Sequence, residues 1–254
     1  MFDSPPLARA EAPAGEWRAR VDLAAAFRLA VRNDWHEQVA NHFSLALTDD
    51  GKTFLMNPRW RHFSRIKASD LLRLDADDEE TMNRADAPDP SAWCIHGAIH
   101  REVPGARCVL HVHPPYATAV ASLADPEIKP IDQNTARYFN RVAIDREFGG
   151  LADFAEEGKR LAAALGNHKR MMMGNHGVLV VGDSVAEAFD DLYYIERACR
   201  NLVLAYSTGQ KLAIMAPDLA ERTAQGWETY KESAFAFFDE SKKLLDASEP
   251  DYAH

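Results

Sequence analysis

Cys108-Val109-Leu110-His111-Val112-His113-Pro114-Pro115-Tyr116-Ala117-Thr118-Ala119 reads as a buried strand that stops abruptly and turns into a helix. The first six residues are mostly apolar. The two prolines cannot donate to a sheet ladder, yet both suit the first turn of a helix, which then runs from Tyr116 to Leu123. Side chains alternate along a strand, so His111 and His113 leave it on the same side, roughly 6–7 Å apart at their roots. The proline stop puts this pair at the strand's end, where sheet proteins keep an open crevice.

On the N-terminal side, Trp17 to Asn33 carries Val21, Leu23, Ala24, Phe27 and Val31 at helical spacing, the pattern of a first core helix. His42-Phe43-Ser44-Leu45-Ala46-Leu47 and Thr53-Phe54-Leu55-Met56 flank Asp49-Asp50-Gly51 and predict a β-hairpin, closed by Asn57-Pro58. Asp70 to Asp75 adds a short strand, followed by a solvated acidic loop to Glu80, and Trp93 to Arg101 a helix capped by Pro90-Ser91. On the C-terminal side, an irregular stretch with prolines precedes a helix over Leu151 to Leu165. Arg170 to Met173 and Val178 to Val181 then read as two strands about Gly174-Asn175-His176-Gly177. Asp183-Ser184 caps a long helix to about Tyr206, and one last amphipathic helix is expected from about Pro217 to Leu245. Strands interleaved with helices, hairpins included, imply a three-layer α/β or α+β fold with a mixed or antiparallel sheet.

Composition narrows the function classes. With 254 residues, 46% of them hydrophobic, and no repeat or Gly/Ser-rich linker, the chain is expected to form one compact domain behind an irregular arm at residues 1–15. Against 29 basic residues stand 39 acidic ones, a net charge of −10, which repels phosphate backbones and anionic lipid headgroups. No nucleic-acid or membrane partner is therefore expected. The longest aliphatic run, Val178-Leu179-Val180-Val181, is far short of the ~20 residues that cross a bilayer, and Met1-Phe2-Asp3-Ser4-Pro5-Pro6 lacks the basic and apolar segments of a signal peptide. A soluble, cytoplasmic protein is the expectation. Cys94, Cys108 and Cys199 are scattered and form no CxxC, so buried free thiols are expected.

His176 sits between Gly174-Asn175 and Gly177, and glycines on both sides are expected to permit the unusual dihedrals of a tight turn. From such an apex its side chain reaches a site built by another strand. Three imidazoles with a fourth position open form the donor set of a catalytic divalent metal, zinc by default, with manganese, iron, cobalt and nickel as alternatives. The plainer reading makes His111 and His113 satisfied polar residues near a sheet edge and His176 a turn residue.

Taken in order, Asn41-His42-Phe43-Ser44, His96 to His100, Val109 to Ala119 and Gly174-Asn175-His176-Gly177-Val178-Leu179 resemble the class II aldolase/adducin family over about Asp22 to Gly209. The resemblance implies a three-layer α/β/α sandwich around a mainly antiparallel sheet, spanning residues 16–210, with 211–254 as a C-terminal helical extension packed on the same domain. It implies a divalent metal held by His111, His113 and His176, and a homo-oligomer, a tetramer above all. Family members include sugar-phosphate aldolases, metal-dependent decarboxylases of aromatic carboxylates and a few iron oxygenases, while adducin uses the fold without catalysis.

Departures from the aldolases are specific. Their proton-handling glutamate matches Ala92, and alanine transfers no proton. Their Thr-Gly phosphate pocket matches Arg59-Trp60, followed by Arg61 and His62, and a neighbouring subunit's tyrosine matches Gln133. Sugar-phosphate cleavage is therefore disfavoured. Arg59 and Arg61 suit a carboxylate clamp, and His42 joins them as a substrate-binding residue. Gln133 is a candidate catalytic residue that orients substrate, with Arg137 and Tyr138 serving the same or a neighbouring site. His96 and His100, four apart on one helix face, suggest hydrogen bonding. The expected function is a metal-dependent lyase, a decarboxylase or retro-aldolase, acting on a small carboxylated or hydroxy-acid substrate. The alternatives are a non-haem iron oxygenase and an adducin-like assembly module.

Overall fold

Short, mostly apolar stretches pair into one sheet in the computed structural model, which describes residues 7–150 and 154–254. They are β1 (His42–Ala46), β2 (Thr53–Met56), β3 (Leu72–Asp75), β4 (Cys108–Val112), β5 (Ala143–Asp145), β6 (Arg170–Met173) and β7 (Gly177–Gly182). Their order is β3-β2-β1-β4-β7-β6-β5, and every pairing is antiparallel except that of β5 with β6. The start of the expected arm, residues 1–6, and residues 151–153 of the expected helix lie outside the described residues.

Alternation along β4 divides the core into two. Leu110 and Val112 share one apolar cluster with α1 (Glu16–Arg32), α3 (Pro115–Ala121), α6 (Val185–Ser207) and α8 (Glu232–Ser248), through Phe27, Ala117, Phe189 and Phe238. Val109 faces the other way. It packs with Ile95 and Ile99 of α2 (Pro90–Glu102) and Leu161 of α5 (Ala155–Leu165). This is the expected α/β/α sandwich. His111 has the parity of Val109 and so belongs to the α2 and α5 side.

Several local expectations are corrected. The cap of α2 is Asp89, whose side chain accepts from the Ser91 backbone N–H at 3.0 Å, rather than Pro90-Ser91. The single last helix is two, α7 (Pro217–Thr229) and α8, separated at Tyr230 (φ −98°, ψ 41°). Trp227 of α7 packs with its ring centroid 5.2 Å from that of Tyr194, the planes tilted by 52°, and donates to the Gln133 carbonyl, whereas Phe238 and Leu245 of α8 enter the core beside Phe189. One straight rod does not satisfy both dockings. The stretch expected to be irregular contains α4 (Gln133–Ala136) and β5. Among the described residues no helix is long and apolar enough to cross a membrane.

Candidate metal centre

Pairing brings distant histidines together. His42 on β1 faces His111 across the β1–β4 ladder, and Val112 pairs with Val178 two residues after His176. The β6–β7 turn thus lies beside the end of β4. Its glycines are needed for space rather than for dihedral freedom, contrary to expectation. A Cβ on Gly177 would stand 2.6 Å from His113 Cδ2 and 2.8 Å from the Val112 carbonyl, and one on Gly174 2.7 Å from the Asp145 carbonyl. The left-handed residue is Asn175 (φ 55°), whose N–H donates to Ala121 O at 3.1 Å and ties the turn to α3.

The three rings converge. Their centroids are separated by 4.8 Å (His111–His176), 4.7 Å (His113–His176) and 5.0 Å (His111–His113), and one ring nitrogen from each lies within 4.8 Å of the others. His111 Nδ1 stands 3.1 Å from the Val178 carbonyl and His113 Nδ1 2.6 Å from Glu37 Oε2, both acceptors, so each Nδ1 carries the proton. The Nε2 atoms are left with lone pairs, facing each other at 3.2 Å. Two lone pairs at that distance repel unless a cation is shared. Ligands at ~2.0–2.1 Å around a tetrahedral ion are separated by a comparable distance, so the donor set fits a divalent metal. Burial holds His111 well below the usual imidazole range and His176 at about 4, which keeps both in the neutral, ligating form.

A cavity of about 560 Å³ opens on these rings, walled by His42, Arg59, Trp60, Ile95 and Phe148. Arg59 lies 4.2 Å over the Trp60 ring, and among the described residues its buried Nε has no hydrogen bond, with Asp89 Oδ2 at 3.5 Å. Trp60 has φ 60°, a strained setting for a bulky residue, and remains half exposed at the rim, as does Phe148. Ala92 is buried with Phe54, Met56 and Leu72. Behind His42, His96 and His100 hydrogen-bond in a chain through Ser44. Glu37 and Phe148 were not legible as site residues: both lie in loops, and no spacing links either to His111, His113 or His176.

Four expected site residues lie elsewhere. Arg61 is held by Asp70 at 2.5 Å and does not line the cavity. Gln133 is exposed on α4, and its carbonyl accepts from the Trp227 indole N–H. Arg137 pairs with Asp190 and Asp191 at 2.7 Å each, and Tyr138, buried, donates to Asp191 O at 3.0 Å. Asp190 and Asp191 belong to the N-terminal half of α6, near the start of β6 and the end of β7, whereas His176 occupies the turn at the opposite end of that hairpin. A second cavity of about 600 Å³ opens there, but Arg137, Arg141, Lys169 and Arg170 on its wall are each paired with an acid.

Residues 21–203 match the model of the class II aldolase and adducin N-terminal domain. A Caulobacter vibrioides protein carrying the name of a candidate class 2 aldolase is 32% identical over 206 residues, covering 81% of this chain and 79% of its own. The decarboxylase NovR of Streptomyces niveus is 28% identical over 200 residues, 76% of this chain and 73% of its own. Among solved structures, an aldolase II superfamily protein from Pseudomonas syringae superimposes with a TM-score of 0.88 at 30% identity, covering 97% of this chain and 99% of that one.

Proposed function

The chain belongs to the class II aldolase and adducin family, and from that premise we propose a metal-dependent lyase that breaks a carbon–carbon bond in a small carboxylated or hydroxy-acid substrate. The carrying observation is the pair of Nε2 lone pairs of His111 and His113, 3.2 Å apart beside His176 at the floor of an open cavity. A divalent ion bound there, zinc first, supplies positive charge to stabilise the negative charge that develops on an oxygen next to the breaking bond.

The remaining steps belong to the side chains. Arg59 offers a guanidinium to the substrate carboxylate: among the described residues its Nε makes no hydrogen bond, and Asp89 Oδ2 stands 3.5 Å from it. Half-exposed Trp60 and Phe148 favour a substrate with an apolar or aromatic body. Decarboxylation is favoured over retro-aldol cleavage because Ala92 leaves no acid or base where the aldolases move a proton. Loss of carbon dioxide needs none before the bond breaks, and water can protonate the product. The likeness to NovR, named a decarboxylase, supports the same choice. Assembly as a homo-oligomer, a tetramer, is part of the proposal, with exposed Leu204, Tyr206, Ile214 and Leu219 as apolar contact surface.

The test loads chelator-stripped protein with zinc, manganese or ferrous iron and measures carbon dioxide released from a panel of aromatic and aliphatic hydroxy acids under argon. Metal-dependent release that falls to background in His113→Ala is the expected result. Aldehyde formation without carbon dioxide would shift the reading to retro-aldol cleavage. Oxygen uptake by the ferrous protein in a parallel aerobic assay, or failure to bind any divalent ion, would overturn it.

A further inference from the structure

The wall behind the cavity holds one unbranched hydrogen-bonded chain. His100 Nδ1 lies 2.8 Å from the Ala106 carbonyl, and Ser44 Oγ lies 2.7 Å from His100 Nε2 and 2.5 Å from His96 Nδ1. His96 Nε2 is 2.8 Å from His42 Nδ1. All four side chains are buried, and among the described residues no carboxylate hydrogen-bonds to any of the three rings.

The proton positions follow from the Ala106 end. A carbonyl only accepts, so His100 Nδ1 carries hydrogen and, in a neutral ring, its Nε2 carries a lone pair. Ser44 has one proton and gives it to His100 Nε2, so its oxygen accepts from His96 Nδ1–H. His96 Nε2 then accepts from His42 Nδ1–H. What remains is a lone pair on His42 Nε2 at the cavity wall. Ser91 Oγ approaches it at 3.5 Å, but Ser91 donates its proton to Asp89 Oδ1 at 2.7 Å. A chain serving only to satisfy buried polar groups would be closed at both ends; among the described residues this one ends open, facing the cavity.

We propose that this chain fixes His42 as its Nδ1–H tautomer, so that Nε2 accepts a hydrogen bond from a substrate hydroxyl and the site selects hydroxylated acids over their O-methyl analogues. His42 touches the substrate; His96, Ser44 and His100 are positioning residues. A buried acceptor with no donor to meet it loses its solvation, so an O-methyl analogue is expected to bind about tenfold more weakly or worse. Selection rests on the lyase reading, which makes the guest a substrate, whereas the tautomer is a property of the chain itself.

Two measurements separate these layers. Long-range 1H–15N correlations on metal-free protein with 15N-labelled histidine should show His42 protonated at Nδ1 and bare at Nε2, and Ser44→Ala should convert it to a mixture of tautomers. An Nε2–H tautomer in the wild type overturns the proposal whether or not the variant folds, and so does an unchanged tautomer in a folded variant. On zinc-loaded protein, calorimetry with glycolate and methoxyacetate, salicylate and 2-methoxybenzoate, and 4-hydroxybenzoate and 4-methoxybenzoate should show a preference for the hydroxy acid that disappears in His42→Phe. No preference in any pair overturns the selection. A large loss of zinc affinity in His42→Phe would make His42 a metal ligand and overturn it too. Wild-type protein that binds no zinc yet shows the stated tautomer would sink the lyase reading and leave the hydrogen-bonded chain standing.

Discussion

Glu37 and Gly177 act on the same ring from two sides. Glu37 Oε2, 2.6 Å from His113 Nδ1, holds the proton on that nitrogen and turns Nε2 toward His111. Such an orienting partner contributes about 10–100-fold to metal affinity. Because Glu37 is itself exposed, Glu37→Ala is expected to weaken zinc about tenfold in a chelator competition, and unchanged affinity would assign the orientation to other contacts. Gly177→Ala works through space instead. Its Cβ would meet the His113 ring at 2.6 Å and the Val112 carbonyl at 2.8 Å, and the ring yields more easily than the backbone. Zinc binding should be lost at a cost of about 1–3 kcal/mol in stability, and full zinc occupancy in the variant would contradict the stated packing. His111, His113 and His176 were legible in the sequence, because strand parity and a turn sequence mark them. Glu37, 76 residues from His113, left no pattern, since a contact between a loop and a strand end carries no periodicity.

Helix α2 contributes His96 and His100 to one face, and β1 contributes His42 and Ser44 to the facing side of the sheet, which makes the packing of these elements sensitive to pH. Burial holds His100 at about 4, His42 at about 3 and His96 well below the ordinary imidazole value of 6.5. Below about pH 6.5 the unfolded chain therefore binds protons that the fold refuses. Stability is lost as pH falls from about 6.5 toward 4, by up to about 1.4 kcal/mol per ring and pH unit. Glu196, which accepts from the Tyr116 and Ala117 N–H groups and so fixes the start of α3 to α6, is pushed up by burial to about 7. Its sign is opposite: between about 4.5 and 7 the fold keeps a proton that the unfolded chain releases, which offsets one ring. Urea midpoints should fall between pH 6.5 and 5, and fall more steeply in Glu196→Gln. A flat wild-type profile would mean that the rings are protonated in the fold. Elements of several turns or clear alternation, such as α1, α6 and the β1–β2 hairpin, were legible for the reason that periodicity needs length. β5, with three residues, and α4, with four, are each too short to establish a pattern. The break between α7 and α8 is set by two separate dockings that a helical period does not encode.

The two faces of the sheet carry different duties, and the final segment belongs wholly to the face away from the histidines. Arg28 of α1, 4% exposed, donates to the Ile66 carbonyl and pairs with Glu249 at 3.4 Å and Asp251 at 3.0 Å. Tyr252, 1% exposed, enters the same apolar cluster as Phe27 and Phe189, and the Ser69 N–H donates to the His254 carbonyl at 2.9 Å. The sequence foretold the layered architecture, but not this clasp, because the partners of Arg28 lie more than two hundred residues away and in a short turn. Deleting residues 249–254 removes an aromatic side chain from the core and both carboxylate partners of a buried guanidinium. The expected cost is about 3–5 kcal/mol in denaturant unfolding. The metal-binding rings lie across the sheet, carried by β4, which pairs with β1, and by the β6–β7 turn, so the truncated protein should bind zinc with undiminished affinity at temperatures where it remains folded. Loss of zinc affinity in proportion to stability would instead mean that the two layers act as one unit, and that the clasp holds the metal centre as well as the core.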